Sequence, residues 1–290
     1  MNKTVNIILI ILLSILTVAV TGFFIYLITG HSFNWSFDLH NYSDKLIDSK
    51  EVNSVSEINV DDKNADVVVE KSNDDKIVVE LYSDNNVEHK IEVNNNTLYV
   101  NFYDNEVFRL FKRGSKVLIK LPEYYENRLN IKSTTGDIKI ESFEKLSPSI
   151  NSQTGDIIIE QLKDLDVQLT TGDIKINKIN KINCNNTTGD IKIEKISDAI
   201  IHSGTGDVKI NEVDNSVNIS LTTGDVKINK ATINEDSSIT STTGDVKIAN
   251  YTGAYVEASN DVGDVKINNN DRKAEKTLKI SSHIGDIKVN

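Results

Sequence analysis

The sequence predicts an all-β protein, a β-solenoid (single-stranded β-helix) of TGD[IV]KI repeats preceded by one N-terminal transmembrane helix. Three observations support this fold class. An apolar run covers residues 5–29, a seven-residue phrase recurs nine times downstream, and apolar residues occupy fixed positions around every copy of that phrase. Periodic self-similarity of this length is typical of solenoids, in which each repeat forms one coil.

The apolar run predicts a signal-anchor helix over residues 5–29. No charged residue lies between Lys3 and Asp38, and a helix of this length exceeds the roughly 30 Å hydrocarbon core of a bilayer. The weak charge bias places residues 1–4 in the cytoplasm and the bulk of the chain outside a cell membrane crossed once. A cleaved signal peptide is the alternative, but the run is longer than usual and no small-residue cleavage site follows it.

Three further regions follow the apolar run. Residues 30–55 are polar and mixed in charge, which predicts a tether. Residues 56–128 contain KIVVELY, HKIEV, TLYVNFY and KVLIKLP, read as strands that cap the N-terminal end of the solenoid. Within SEINVDDKNADVVVE, Asp66 occupies the aspartate position of the repeat, so this stretch is a candidate degenerate first coil. Residues 129–290 form the repeats.

The repeated phrase predicts a structural turn ladder. Its aspartates recur at intervals of 17 to 22 residues. Glycine supplies a turn conformation with positive φ or a close approach, and aspartate can bond neighbouring turn amides. The ladder residues are Gly136, Asp137, Gly155, Asp156, Gly172, Asp173, Gly189, Asp190, Gly206, Asp207, Gly224, Asp225, Gly244, Asp245, Gly263, Asp264, Gly285 and Asp286. A lysine two residues after the aspartate accompanies all copies but one, where Ile158 stands, and offsets the repulsion between the aspartates.

Apolar residues flank each aspartate at fixed offsets. Positions one and three after it hold Ile or Val in every copy. The position six before it holds Ile131, Ile150, Val167, Cys184, Ile201, Ile219, Ile239, Ala258 and Ile280. The position six after it holds Phe143, Leu162, Ile179, Ile196, Val213, Ala231 and Tyr251. Alternation on both sides of the turn indicates strands buried on one face, and the last column suggests a third, shorter wall.

A sandwich of β-hairpins is the rival architecture, because it would bury the same alternate residues. It has no need of one turn sequence nine times, whereas a solenoid stacks each position on its equivalent. The solenoid is therefore the preferred interpretation.

Composition limits the classes of partner and cofactor. The chain has 32 Lys plus Arg against 43 Asp plus Glu, a net charge of −11, and no concentrated basic patch, which disfavours nucleic acid. Cys184 is the single cysteine, so an intramolecular disulfide and a cysteine-based zinc site are excluded. Calcium is disfavoured because each turn has one glycine and is followed by a lysine. No cofactor or metal is expected.

Candidate chemical residues are few, and no catalytic residue is predicted. Cys184 occupies an apolar column, which favours a buried thiol over a nucleophile. His202 lies in an outward polar column, and His283 replaces a turn threonine near the C-terminal end. Asp261 and Asp264 form the only local acidic doublet in the phrase, and surface decoration is the preferred interpretation of that doublet.

The repeat also supports a family resemblance. A single N-terminal apolar helix, the stretch KVLIKLPEYYENRLNIKSTTGDIKI and the serial TGDIKI or TGDVKI coils resemble the bacterial putative-adhesin family of repeat domains that includes LiaG-like proteins. The resemblance covers about Val55 to Asn290. It implies a β-solenoid outside a bacterial membrane, an association with envelope-stress systems in some relatives, and no catalytic residues.

These observations favour a non-enzymatic, membrane-anchored surface protein that acts as an adhesin-like or envelope-binding scaffold. Its partners would be an envelope protein or a wall polymer. The alternatives are an accessory regulator of an envelope-stress response, acting by protein contact, and a polysaccharide-active β-helix enzyme. The last copy has no evident cap, so we also expect self-association through the C-terminal edge of the solenoid.

Overall fold

The computed structural model describes residues 43–104, 114–268 and 270–290. Every regular element in these ranges is a β-strand. None of the described residues belongs to a helix that is long and apolar enough to cross a membrane. The predicted cytoplasmic end, signal-anchor helix and first part of the tether lie outside the described residues.

Twenty-two strands make up the described chain. The first nine are β1 (Leu46–Val52), β2 (Glu57–Asp62), β3 (Ala65–Lys71), β4 (Ile77–Tyr82), β5 (Glu88–Asn94), β6 (Thr97–Tyr103), β7 (Ser115–Leu121), β8 (Arg128–Thr135) and β9 (Ile138–Phe143). The next six are β10 (Ser149–Thr154), β11 (Ile157–Thr171), β12 (Ile174–Thr188), β13 (Ile191–Thr205), β14 (Val208–Thr223) and β15 (Val226–Thr232). The last seven are β16 (Ser237–Thr243), β17 (Val246–Ile248), β18 (Tyr251–Thr252), β19 (Ala254–Val262), β20 (Val265–Ile267), β21 (Lys276–Ile284) and β22 (Ile287–Val289).

The repeats form a β-solenoid of about eight turns, as the sequence predicted. Each coil pairs in parallel with its neighbour and in register, so that Ile174 opposes Ile191 and Cys184 opposes Ile201. A chain of hairpins would pair antiparallel, so the hairpin sandwich is the wrong architecture for this chain. The parallel register places every residue about 4.8 Å from its equivalent in the next coil.

The core is one continuous cluster along the stack, and the predicted columns line it. The residues six positions before the ladder aspartate are at most 2% exposed, apart from Ala258, which is partly buried. The column six after it is buried from Phe143 to Ala231, while Tyr251 is partly buried. The inward alternation that the sequence indicated is therefore confirmed.

Two inward columns escaped the sequence analysis. The position eight before the aspartate is buried and mostly apolar, with Leu165, Ile182 and Ala199 as examples. The position four before it is also buried but mostly polar, with Ser133, Ser152, Asn186, Ser203, Ser241 and Ser282 among its members. The polarity of the second column conceals the period-2 alternation, which explains why its members were not recognised as inward residues.

At the N-terminal end, spatial order departs from chain order. Strands β2 and β3 stack on β8 and β9 on one side and on β6 and β7 on the other, in parallel throughout. The predicted degenerate first coil at Asp66 is therefore confirmed, but it is not outermost. Strand β5 pairs antiparallel with β6, and β4 with β7 and β1, so antiparallel strands cover this end.

The C-terminal end corrects the expectation that the last copy is the free edge. Strand β21 lies between β16 and β19, and β22 lies between β17 and β20. The penultimate copy in the sequence, β19 and β20, is thus outermost. The two copies differ in composition: the last copy has Leu278, Ile280 and Ile287 at the inward positions where the penultimate copy has the smaller Val256, Ala258 and Val265. Placing the last copy inside therefore buries more apolar surface.

Candidate functional site

Each turn glycine is fixed by the backbone of the neighbouring coil. Gly206 has φ of +130°, and a Cβ built there would lie 2.2 Å from the carbonyl oxygen of Gly189. The other ladder glycines have φ between +132° and +144°, with the neighbouring carbonyl 1.9 to 2.3 Å from a Cβ. Stacked turns at strand spacing therefore admit no side chain at this position.

The ladder aspartates join the coils through their backbones. The N–H of each aspartate donates to Oδ1 of the aspartate in the coil beside it, at 2.7 to 3.0 Å. The chain of bonds starts at Asp66 and continues to Asp245. From Asp245 the chain of bonds passes to Asp286 and ends at Asp264. It thus follows the spatial order of the last two coils, which is the reverse of their order in the sequence.

At two positions of the ladder, Asp207 and Asp245, the surroundings favour the charged carboxylate. The pKa of Asp207 lies below its ordinary value, chiefly because its carboxylate accepts the N–H of Asp225 and also because Lys209 Nζ donates to it at 2.9 Å. Asp245 has a lowered pKa for the same two kinds of reason. The ladder oxygens are thus engaged by turn amides and lysines, and in the described ranges no group of three or more His, Cys, Asp or Glu is placed to hold a metal ion.

A second feature lies on the wall just before the turns. We call it the polar groove, a shallow concave surface that crosses consecutive coils from β10 to β14. Its lining consists of Asn151, Ser152, Gln168, Leu169, Thr170, Asn185, Asn186, Thr187, His202, Ser203, Gly204, Ser220 and Thr222. None of these residues is Asp, Glu, Lys or Arg, although such residues make up 26% of the chain.

The outer rim of the polar groove is a column of amides and hydroxyls. Gln168, Asn185, His202 and Ser220 oppose one another as register partners on β11 to β14. All four side chains are exposed. They therefore repeat at strand spacing along the solenoid axis.

Beneath the polar groove, the core-facing side of the same strands contains buried polar atoms. Ser152, Asn186 and Ser203 are 2%, 4% and 5% exposed. Ser152 Oγ, Asn186 Oδ1 and Ser203 Oγ have no hydrogen-bond partner within the described part of the chain. Leaving a polar group buried and unbonded costs about 1–3 kcal/mol, and because these side chains face the core, that cost falls on the stability of the fold.

The remaining sequence candidates do not form one site. Cys184 is fully buried in the core, and burial raises the pKa of its thiol to about 12, which agrees with an inert core residue. His283 Nδ1 lies 2.6 Å from Asp261 Oδ2 at the C-terminal end, on the exposed surface. His202 lies in the polar groove on β13, the strand beside that of Cys184, but it is exposed whereas Cys184 is buried. Strands β14 and β16 separate it from His283 on β21.

Two buried acids, Asp62 and Asp104, were missed. Asp62 is 1% exposed and occupies the inward polar column of the first coil. Its carboxylate accepts the Ala65 N–H at 3.0 Å and the Ser133 hydroxyl at 3.1 Å. Burial raises the pKa of Asp62 to about 8, although both donors oppose this shift. Only alignment of Asp62 with the serines of later coils would have shown it to be inward.

Comparisons with known proteins place the chain beside solved bacterial structures. No curated protein matches it. A putative adhesin from Bacteroides fragilis NCTC 9343 is 19% identical, with a TM-score of 0.43, over 86% of this chain and 98% of that one. A putative adhesin from Parabacteroides merdae ATCC 43184 is 15% identical, with a TM-score of 0.31, over 86% and 98%. A putative lipid binding protein from Parabacteroides distasonis ATCC 8503 is 14% identical, with a TM-score of 0.41, over 82% and 96%.

The family assignment rests on the repeats themselves. The family model described as Toastrack DUF4097 matches residues 55–290, well over half of the chain. This range is the stretch over which the repeated phrase resembles the adhesin-like repeat domains, and the chain belongs to the Toastrack DUF4097 family.

Proposed function

We propose that the chain is a non-enzymatic, adhesin-like scaffold that binds a component of the cell envelope through the side of its solenoid. The observation that supports it is the polar groove, an uncharged strip that crosses successive coils of an otherwise strongly charged protein. A surface repeated coil after coil suits an extended partner, since one contact can recur along the stack.

Anchoring completes the proposal. The apolar run over residues 5–29 would hold the protein in the membrane by a single pass, with the solenoid on the extracytoplasmic side. Such placement would present the groove to wall polymers or to other envelope proteins. The support for this part is the sequence alone.

A polysaccharide-active enzyme is a weaker reading of the same groove. Glycoside cleavage generally needs two carboxyl groups on either side of the bond. The described lining of the polar groove has no carboxylate, and the ladder carboxylates accept amides of neighbouring turns. These contacts support binding rather than catalysis.

In-cell crosslinking tests the proposed function. The full chain would be crosslinked in its membrane and the captured species identified by mass spectrometry, with a secreted version lacking residues 1–29 as control. Capture of a wall polymer or a surface component supports the scaffold. Capture of one membrane protein, lost with the anchor and accompanied by altered stress-response transcription on deletion, would instead establish the regulatory alternative.

A further inference from the structure

We infer that the polar groove binds an uncharged, hydroxyl-rich glycan chain lying along the solenoid axis. This inference rests on the proposed function and specifies the class of partner. It is argued from the charge of the groove and from the chemistry and spacing of its exposed side chains.

The charge of the groove selects a neutral ligand. The lining offers no lysine or arginine to an anionic polymer and no carboxylate to a cationic one. The chain as a whole carries a net charge of −11, so a polyanion would also be repelled at long range. Elsewhere the outward columns hold lysine and aspartate in ladders, as at Lys209 and Asp207. The absence of charged side chains therefore distinguishes the groove from the other outward columns.

The side chains of the groove match the chemistry of sugar hydroxyls. Asn and Gln amides both donate and accept, and hydroxyls do the same, so every sugar hydroxyl orientation finds a counterpart. Gln168 opposes Asn185 and Asn185 opposes His202, which repeats the pattern at strand spacing. An extended chain of linked hexoses repeats at a similar length, so successive sugars would meet successive coils.

The groove contains no aromatic ring among its described lining residues, which determines how affinity should arise. Without stacking, each sugar contributes only hydrogen bonds, and each bond gains little net free energy because water is displaced. Binding should therefore be weak for a short oligosaccharide and should rise steeply with chain length as further coils are engaged.

Direct binding tests the inference. The full-length protein in lipid nanodiscs would be titrated by biolayer interferometry with neutral β-linked oligosaccharides of increasing length, and with an anionic teichoic acid in parallel. We expect neutral glycans to bind with length-dependent affinity and the anionic polymer to bind at least about tenfold more weakly. The Gln168→Ala and Asn185→Ala double variant should lose about tenfold in affinity or more.

Asn177→Ala is the matched control, because Asn177 is an exposed asparagine of the same strand β12 on the wall beyond the turn. It should bind as the wild type does, and unchanged thermal melts should show that all variants are folded. Absence of neutral-glycan binding, preference for the anionic polymer, or equal loss in the control would overturn the inference. If crosslinking still captured an envelope component in that case, the scaffold function would stand and only the ligand class would fail.

Discussion

At the scale of single residues, the turn glycines are the positions least tolerant of change. Gly206→Ala places a methyl group against the Gly189 carbonyl and forces a side-chain-bearing residue to φ of +130°. Backbone strain and a clash of this kind should destabilise the solenoid by about 3 kcal/mol or more. Urea denaturation followed by circular dichroism would show it as a lowered midpoint.

Gly204 provides the comparison within the same coil. It lacks a positive φ, and the equivalent positions of the adjacent coils carry Thr187 and Thr222. Gly204→Ala should therefore cost much less, although its Cβ would approach the Thr187 carbonyl. Equal midpoints for the two variants would show that the turn backbone can relax.

The buried acid Asp62 should make stability depend on pH. Its pKa is about 8 in the folded chain and about 4 when unfolded. Between these values only the folded state keeps the proton, so stability is greatest at acid pH and falls as the pH rises through this window. The Asp62→Asn side chain cannot ionise. The melting temperature of this variant minus that of the wild type should therefore increase as the pH rises from about 5 to about 9.

Thermal melts over that range would measure the effect, with the exposed Asp75→Asn as control. Asp207 and Asp245 act in the opposite sense, because the lowered pKa of each contributes stability that is lost as the pH falls. If the wild type and Asp62→Asn kept a constant difference in melting temperature, Asp62 would have to be charged already at acid pH.

At the scale of elements, the outermost coil has an open edge. The Ile287 N–H donates to the Asp264 carbonyl, and the Asn268 N–H donates to the Val289 carbonyl. Because backbone groups alternate in direction along a strand, those of Val265 and Ile267 point away from β22, toward the free edge. On β19, the side-chain amide of Asn270 covers part of the edge. Its Oδ1 accepts the Val256 N–H and its Nδ2 donates to the Val256 carbonyl, both at 2.8 Å. The edge available to a partner is thus shorter than the strands that form it.

Exposed aliphatic residues lie beside this edge. Val262 and Ile284 are register partners that continue the column of Thr243, and they are 59% and 46% exposed. We expect two copies to associate through this end, and the double variant Val262→Thr and Ile284→Thr, which restores the threonine column, to weaken association about tenfold. Analytical ultracentrifugation of the full chain in detergent would measure it.

Val93→Thr is the control, because Val93 is 41% exposed on β5 at the opposite end of the stack. The edge also carries Glu257, Asp261 and Asp264, so association should strengthen with salt as their repulsion is screened. A wild-type chain that stays monomeric at high concentration would refute the expectation.

The elements show which features a sequence can specify. The inward columns through Ile174, Ile176 and Cys184 were predictable because apolar alternation is a local signal. The inter-coil bond from Asp225 N–H to Asp207 was not, because it depends on which coil stacks on which. The polar groove was visible in the sequence as an outward column, whereas the buried oxygens beneath it belong to an inward column whose polarity hid its direction.

At the scale of the whole molecule, the parallel stack was predictable and the order of the coils at its two ends was not. Nine copies of one phrase specify neighbours of equal shape, yet nothing in the phrase determines which copy lies outermost. The choice is made by burial over the whole stack: the last copy, with Leu278 and Ile280 in the core, displaces a copy whose Ala258 and Val265 fill less space.

The exchanged order of the last two coils has a consequence for biosynthesis. Ribosomes make β19 and β20 before β21 and β22, but the earlier pair rests on the later one. Growth of the stack can follow translation coil by coil only as far as β17 and β18, which pair with β15. The native neighbours of the segment from Ala254 to Ile267 are β21 and β22, so this segment cannot reach its final place until both later strands have emerged. The C-terminal end should therefore close in a single late step, and a chain stalled before β21 would retain the open edge of β16 and β17.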